Sequence, residues 1–242
     1  MCCSLPCFQR LPAGSKATEY IRRQCCCISC CLCCRNQFTE GDWSWGANED
    51  FLRSSVAEQA KRAGQTEPEL VWASWNNFGP ERALPMAVLL DHAHRQLVVT
   101  IRGTADVKDI VNDAGIFPEH FDPLGMGGSR TEQPFDQEKD LFVPHTWLAI
   151  SQDCIRQLEE RGILETALKN EGKAFGYRVM VTGHSLGSAI ACLVAFQLQA
   201  KLGKEHRVRY VGFETPGCVL SKRLARKTQS LGWISVVCGH DW

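Results

Sequence analysis

The feature that most constrains the fold is a short turn at 183–187, Gly-His-Ser-Leu-Gly, which lies between two apolar segments. Residues 178–181 have the pattern of a buried strand, and residues 188–202 are rich in leucine and small side chains, as in a buried helix. Glycines on both sides of Ser185 allow a sharp turn that exposes the serine hydroxyl at the head of the helix. The pattern therefore predicts a serine nucleophile at a strand-to-helix turn.

The body of the chain alternates strand and helix patterns, which indicates the α/β class. Two apolar runs at 87–90 and 97–101 flank the polar segment 91–96, and this arrangement predicts a hairpin. Strands alternating with crossover helices predict a largely parallel sheet. The remaining helices are expected at 47–63, 106–114, 146–169, 188–202 and 221–230, and the remaining strands at 178–181, 208–213 and 234–238.

Composition divides the chain into three parts: a cysteine-rich basic tail at 1–37, a linker with an amphipathic helix at 38–69, and the α/β domain at 70–242. Within the domain, residues 116–143 contain three prolines and no sustained period, which predicts a mobile, lid-like loop over an apolar substrate. A disordered insertion is the alternative interpretation of this loop.

The overall charge is balanced, with 27 basic and 27 acidic residues. Such a balance argues against a nucleic-acid partner. The balance is uneven along the chain, because residues 1–37 carry five basic residues and one acidic residue, net +4. The tail is therefore basic and the remainder is mildly acidic.

The tail holds ten of the 14 cysteines. It has no apolar run of signal-peptide length, so we expect a chain that is not secreted and lies in the cytoplasm or on the cytoplasmic face of a membrane. Adjacent cysteines beside arginines are typical of S-palmitoylation, which would anchor the chain peripherally. Metal binding and a tail without function are the alternatives. The lipidation candidates are Cys2, Cys3, Cys25, Cys26, Cys27, Cys30, Cys31, Cys33 and Cys34.

An acyl-transfer serine needs hydrogen-bond donors for the oxyanion that develops in the reaction. The backbone N–H of Leu186, the residue after Ser185, is one candidate. A second could come from Arg102-Gly103-Thr104, which follows the strand at 97–101, with Asp113 placed to orient that loop. An ordinary strand-to-helix turn capped by Thr104 is the alternative.

His184 lies inside the turn and cannot act as a base for its neighbour. We therefore expect it to be a packed, hydrogen-bonded structural histidine.

Four ordered motifs carry a resemblance to a known family: 84–113, 181–187, 213–221 and 236–241. Together they resemble the class 3 lipases, most closely the sn-1-specific diacylglycerol lipases, which implies an α/β-hydrolase fold. The resemblance implies Ser185 as nucleophile, Thr104 and Leu186 as oxyanion hole and Asp241 as triad acid, with Gly183, His184, Gly187, Arg102, Gly103 and Asp113 in support.

The same resemblance implies an acylglycerol or phospholipid substrate at a membrane surface. No metal site and no cofactor are expected for the chemistry. Calcium is implied by the resemblance alone, and the sequence has no ligand loop of EF-hand spacing.

The family order places the catalytic histidine after the acid, but here Asp241 is followed by Trp242 alone. His240 adjoins Asp241 and points elsewhere on an extended chain, and His145 would need the loop before it to fold over the turn. We therefore expect an α/β-hydrolase incomplete at its C-terminus. Two functions stay open: a serine hydrolase whose sequence continues, or a catalytically dead lipase-like module that binds membrane lipid or a partner. Acyl transfer to an acceptor other than water is a third possibility.

Overall fold

The computed structural model describes residues 45–74, 84–103, 117–127, 136, 138–169, 172–203 and 205–237. The predicted helix at 106–114 and the cysteine-rich tail lie outside these residues. The helices are α1 Trp45–Ala63, α2 His145–Glu160, α3 Ile163–Leu168, α4 Leu186–Leu202 and α5 Lys222–Leu231. The strands are β1 Glu69–Ser74, β2 Met86–Asp91, β3 Gln96–Ile101, β4 Pro118–His120, β5 Phe142–Pro144, β6 Arg178–His184, β7 Val208–Phe213 and β8 Ile234–Val236.

Six of these strands form one sheet in the order β1-β2-β3-β6-β7-β8. β1, β2 and β3 pair antiparallel, whereas β3, β6, β7 and β8 run parallel to one another. Helix α4 connects β6 to β7, and α5 connects β7 to β8. The predicted hairpin and the largely parallel sheet are both confirmed, and the carboxyl ends of β3, β6, β7 and β8 meet at one edge.

Helix α4 lies at the centre of the core, because it packs against β6 and β7 on one side and against α2 on the other. Its side chains are apolar around most of its circumference, as expected of a helix covered on several sides. Phe196 of α4 is fully buried and meets Phe121 and Trp233 edge-on, with ring centroids 6.0 and 4.7 Å apart. The turn at Ser185 therefore leads into one of the most firmly packed elements.

Helix α1 covers the other face of the sheet near the antiparallel strands. Leu52 packs there in a small cluster with Ala73, Ala87 and Leu89, and Val56 lies against it. The predicted amphipathic helix is confirmed.

Two segments differ from their predictions. The helix expected at 146–169 is broken at Gly162, whose φ of 59° is left-handed, and becomes α2 and α3. In the predicted loop at 116–143, residues 118–120 pair antiparallel with 142–144 as β4 and β5. Strand β1 was not predicted, because the segment before it is polar and rich in tryptophan.

Candidate active site

Ser185 occupies the turn between β6 and α4. Its backbone has φ 53° and ψ −126°, a conformation that residues with a side chain rarely adopt. Strain of this kind amounts to about 1–3 kcal/mol and persists where the surroundings fix the backbone. The Ser185 N–H donates to the Phe213 carbonyl at 2.9 Å, and the Ser185 carbonyl accepts from the Ser188 N–H at 2.9 Å. The turn has the shape of a nucleophile elbow.

The two glycines of the turn are required by close packing, since neither has a positive φ. A Cβ on Gly183 would lie 2.8 Å from the Ser188 nitrogen and closer still to the Gly187 carbonyl oxygen. A Cβ on Gly187 would lie 2.6 Å from the Gly103 nitrogen, and real Cβ atoms essentially never approach within 3.0 Å. The end of β3, the turn and the start of α4 therefore touch backbone to backbone.

This packing brings together two of the segments predicted to stabilise an oxyanion. Ile101 and Gly183 are parallel partners, so β3 and β6 end side by side, and the Arg102 N–H donates to the Pro85 carbonyl at 2.9 Å. Leu186 opens α4, and a first-turn N–H has no acceptor within its own helix. Its N–H therefore adjoins Ser185 and is not used by the hydrogen bonds of α4. Thr104 and Asp113 lie outside the described residues.

Behind the turn, hydroxyl groups from several elements meet in a hydroxyl cluster, which we define as Ser188, Tyr210, Thr215 and Ser235. Ser188 and Tyr210 are buried, Thr215 is partly buried, and Ser235 is exposed. Ser188 Oγ lies 2.7 Å from Tyr210 Oη and 2.6 Å from Thr215 Oγ1, and Tyr210 Oη lies 2.9 Å from Thr215 Oγ1. Ser235 Oγ donates to Thr215 Oγ1 at 2.8 Å. Sequence analysis missed this cluster, because its members come together from α4, β7, the loop after β7, and β8.

A family model for class 3 lipases matches residues 98–242, more than half of the chain. The chain belongs to the class 3 lipase family. It is 29% identical over 210 residues to diacylglycerol lipase-beta of Mus musculus and 26% identical over 225 residues to diacylglycerol lipase-alpha of Homo sapiens. These matches cover 86% and 88% of this chain but 28% and 19% of the two relatives, so the chain spans less than a third of either.

Solved lipases share the fold of this class 3 lipase. The lipase from Rhizopus microsporus var. chinensis has a TM-score of 0.56 at 16% identity, covering 93% of this chain and 67% of its own. The Rhizomucor miehei triacylglyceride lipase has a TM-score of 0.52 at 16% identity, covering 77% and 67%. The predicted α/β-hydrolase fold and the resemblance to diacylglycerol lipases are confirmed.

Two histidines of this class 3 lipase, His145 and His206, are engaged away from Ser185. His145 Nδ1 pairs with Glu119 at 3.2 Å, and His206 Nδ1 lies 3.1 Å from the Tyr177 carbonyl. Within the described ranges, no hydrogen bond joins Ser185 Oγ to a histidine. Asp241 and His240 lie outside these ranges, although β8 runs parallel to β7 toward the edge where Ser185 lies.

The environment of His184 differs from the predicted one. We expected a packed histidine with its hydrogen bonds made, yet its Nδ1 atom is buried and has no hydrogen-bond partner among the residues that the structure describes. The side chain alternates with its neighbours along β6, so its direction is set by the strand and not by a polar partner.

Two of the three thiols in the described part of the chain are buried and unreactive. Burial raises the pKa of Cys154 and of Cys192 to about 12, so both stay protonated and unreactive. Cys218 is exposed, and partial burial raises the pKa of its thiol as well.

The described residues hold neither a metal-binding cluster nor a membrane-spanning helix. They contain no group of three or more His, Cys, Asp or Glu side chains able to hold a metal ion. None of the helices in the described ranges is both long enough and apolar enough to cross a bilayer.

Proposed function

We propose that this chain is a serine hydrolase that cleaves acyl esters of glycerolipids, as the names of its diacylglycerol lipase relatives indicate for those proteins. The observation that carries the proposal is the strained turn at Ser185. Strain of this size concentrates at functional sites, and here packing against β3 and a hydrogen bond to β7 fix it. Leu186 adds a donor at the position where an oxyanion would form.

In the proposed reaction, Ser185 Oγ attacks the acyl carbonyl carbon while a general base accepts its proton. The carbonyl oxygen becomes an oxyanion, which the Leu186 N–H and, by resemblance, Thr104 stabilise. Collapse of this intermediate returns the proton to the glyceride alcohol, which leaves, and Ser185 stays acylated. Water then attacks the acyl-enzyme and releases the fatty acid. By resemblance, the family's base is a histidine that follows the acid, and it has no counterpart among the 242 residues of this sequence. No cofactor is proposed for these steps.

A catalytically dead lipase-like module is the second candidate. One observation favours it: within the described ranges, Ser185 Oγ has no histidine partner. Removing a member of a catalytic triad leaves roughly 10³–10⁴-fold acceleration over water. The two candidates therefore differ by orders of magnitude in the reactivity of Ser185.

A fluorophosphonate probe tests the proposal on the full 242-residue chain. We expect one covalent adduct on wild type, located at Ser185 by peptide mapping, and none on Ser185→Ala. A parallel assay should show fatty acid release from emulsified diacylglycerol by wild type. A folded wild-type chain that neither reacts with the probe nor releases fatty acid, while it still binds diacylglycerol vesicles, would replace the proposal with the dead module.

We further propose that the cysteine-rich tail anchors the chain to the cytoplasmic face of a membrane by S-acylation. The support is compositional: adjacent thiols beside arginines in residues 1–37, where two acyl chains with basic residues give stable binding. Acyl-exchange labelling of the chain expressed in cells tests this. Hydroxylamine-dependent label is expected on the tail. It should vanish when all nine candidates are replaced by serine: Cys2, Cys3, Cys25, Cys26, Cys27, Cys30, Cys31, Cys33 and Cys34. Label absent from the wild-type tail would end the proposal.

A further inference from the structure

The hydroxyl cluster closes a ring of hydrogen bonds around the nucleophile turn. The Ser185 N–H donates to the Phe213 carbonyl, and Thr215 follows two residues later along the chain. Thr215 Oγ1 lies 2.6 Å from Ser188 Oγ, and the Ser188 N–H returns to the Ser185 carbonyl at 2.9 Å. Tyr210 lies over this ring, bonded to both side chains. The Ser185 turn is therefore connected to β7 and the loop after it in two ways: through the Ser185 N–H and through Ser188.

The cluster has no spare protons. It makes five oxygen–oxygen contacts, including one from Tyr210 Oη to the Ser188 carbonyl at 3.1 Å, yet its members carry four hydroxyl protons. At least one of the five contacts therefore lacks a proton of its own. Ser188 and Tyr210 are buried, and burial raises the pKa of Tyr210 well above its usual value, so its proton is retained. Removing one hydroxyl consequently disturbs several contacts together.

The cluster also reaches the next strand of the sheet. Ser235 of β8 donates to Thr215, and the Val236 carbonyl accepts from the Glu214 N–H at 2.8 Å. Glu214 itself has a φ of 51°, so the turn after β7 is strained like the turn after β6. β8 is the strand that precedes Asp241 in the sequence. The hydroxyl cluster thus links the Ser185 turn to the strand leading toward the residue that resembles the triad acid.

We propose that Ser188, Tyr210 and Thr215 are positioning residues that hold Ser185 in its reactive conformation. The inference rests on the proposed function, since it concerns the reactivity of Ser185. None of these side chains contacts the reacting atoms. They act through the backbone of the turn, because Ser188 belongs both to the cluster and to the hydrogen bond that closes the turn. A shift of α4 away from β7 would move Ser185 Oγ and the Leu186 N–H together.

The test measures how fast a fluorophosphonate labels Ser185 in the full chain, with the rate of bond formation separated from reversible probe binding. We expect Ser188→Ala, Tyr210→Phe and Thr215→Val each to slow bond formation by about tenfold and to leave probe binding unchanged. The double variant Ser188→Ala/Tyr210→Phe should be no slower than the slower single variant, because residues that act as a unit are not additive.

Ser151→Ala is the matched control. Ser151 is as fully buried as Ser188 and donates to the Leu148 carbonyl at 2.7 Å, and it accepts from Gln197 of α4, far along that helix from the turn. Its loss should lower the denaturation midpoint but not the labelling rate.

Four outcomes are distinguishable in this experiment. Wild type that does not label overturns the proposed function and leaves no reactive serine to position. Wild type that labels, with Ser188→Ala and Tyr210→Phe folded and labelling at the wild-type rate, overturns the positioning role alone. Equal slowing by Ser151→Ala would assign the effect to general stability and equally overturn the positioning role. The positioning role is supported if Ser188→Ala, Tyr210→Phe and Thr215→Val slow labelling, Ser151→Ala does not, and the double variant is no slower than the slower single variant.

Discussion

Replacing Gly187 by alanine should separate the geometry of the nucleophile turn from the stability of the fold. The new Cβ would lie 2.6 Å from the Gly103 nitrogen and the Arg102 carbonyl carbon, which is 0.4 Å inside the 3.0 Å that real Cβ atoms keep. The Ile101 carbonyl oxygen is closer still. Every atom in the way belongs to the backbone, so no side chain can rotate aside and the two segments must separate.

Two energies of opposite sign set the effect on stability. Overpacking of this kind costs about 1–3 kcal/mol, whereas alanine in place of glycine in a helix stabilises by about 1 kcal/mol. The free energy of unfolding should therefore fall by roughly 0–2 kcal/mol. Reactivity should suffer more, because a displacement of about 1 Å at an active site can lower the rate by about 10²-fold. For a shift of less than half that size we expect about tenfold slower labelling of Ser185.

The assay combines urea denaturation with the rate of fluorophosphonate labelling. Gly217→Ala is the control, since a Cβ on Gly217 would meet no atom within 4 Å and this glycine lacks a positive φ. That control should leave both measurements at their wild-type values. A Gly187→Ala chain that labels as fast as wild type would refute the reasoning, because the contact with β3 would then have no part in placing Ser185.

Three further predictions follow from contacts elsewhere in the described residues. Burial opposes the ionisation of Asp91, but hydrogen bonds in the β2–β3 turn outweigh it and hold the Asp91 pKa below its usual value. The ionised carboxylate therefore stabilises the fold above about pH 4, and this stabilisation is lost as the pH falls through the lower folded pKa. In Asp91→Asn, the urea midpoint should depend less on pH in that acidic range than it does in wild type. Gly162→Ala should destabilise by about 1–2 kcal/mol, because its φ is 59°, and calorimetry should show the lower melting temperature. A thiol reagent should modify exposed Cys218 in the native chain long before Cys192, whose pKa burial raises to about 12; equal rates in native protein would contradict the packing of α4.

The elements predicted best from the sequence are those that are determined by residues close together along the chain. The strand at 208–213 has the predicted bounds, and α4 begins within two residues of its predicted start, because apolar side chains predominate in both. The break at Gly162 was missed since the hydrophobic stripe continues across it, while the backbone conformation that ends α2 is not visible in that stripe. β4 and β5 were missed because they are three residues each and pair across a long segment.

The candidate site divides in the same way. Ser185, its glycines and Leu186 were predicted from five consecutive residues, and the structure places them at the elbow. The contact of Gly187 with Gly103 could not be predicted from spacing, since it depends on the parallel register of β3 and β6. The hydroxyl cluster could not be predicted from the sequence either. Serine, threonine and tyrosine are common, and these residues meet only because α4, β7 and β8 pack together.

The strain at Ser185 and the strain at Glu214 are better understood as one feature than as two. Both residues follow neighbouring parallel strands, at positions where backbone with a positive φ is unfavourable for a side chain. Each is held by a hydrogen bond to the adjacent strand: Ser185 to β7, and Glu214 to β8. The hydroxyl cluster joins the two turns, so relaxation of one would require the other to move. The proposed nucleophile is thus held by the stiffness of the sheet edge, and we expect the residues that control its reactivity to be spread over β3, β7 and β8.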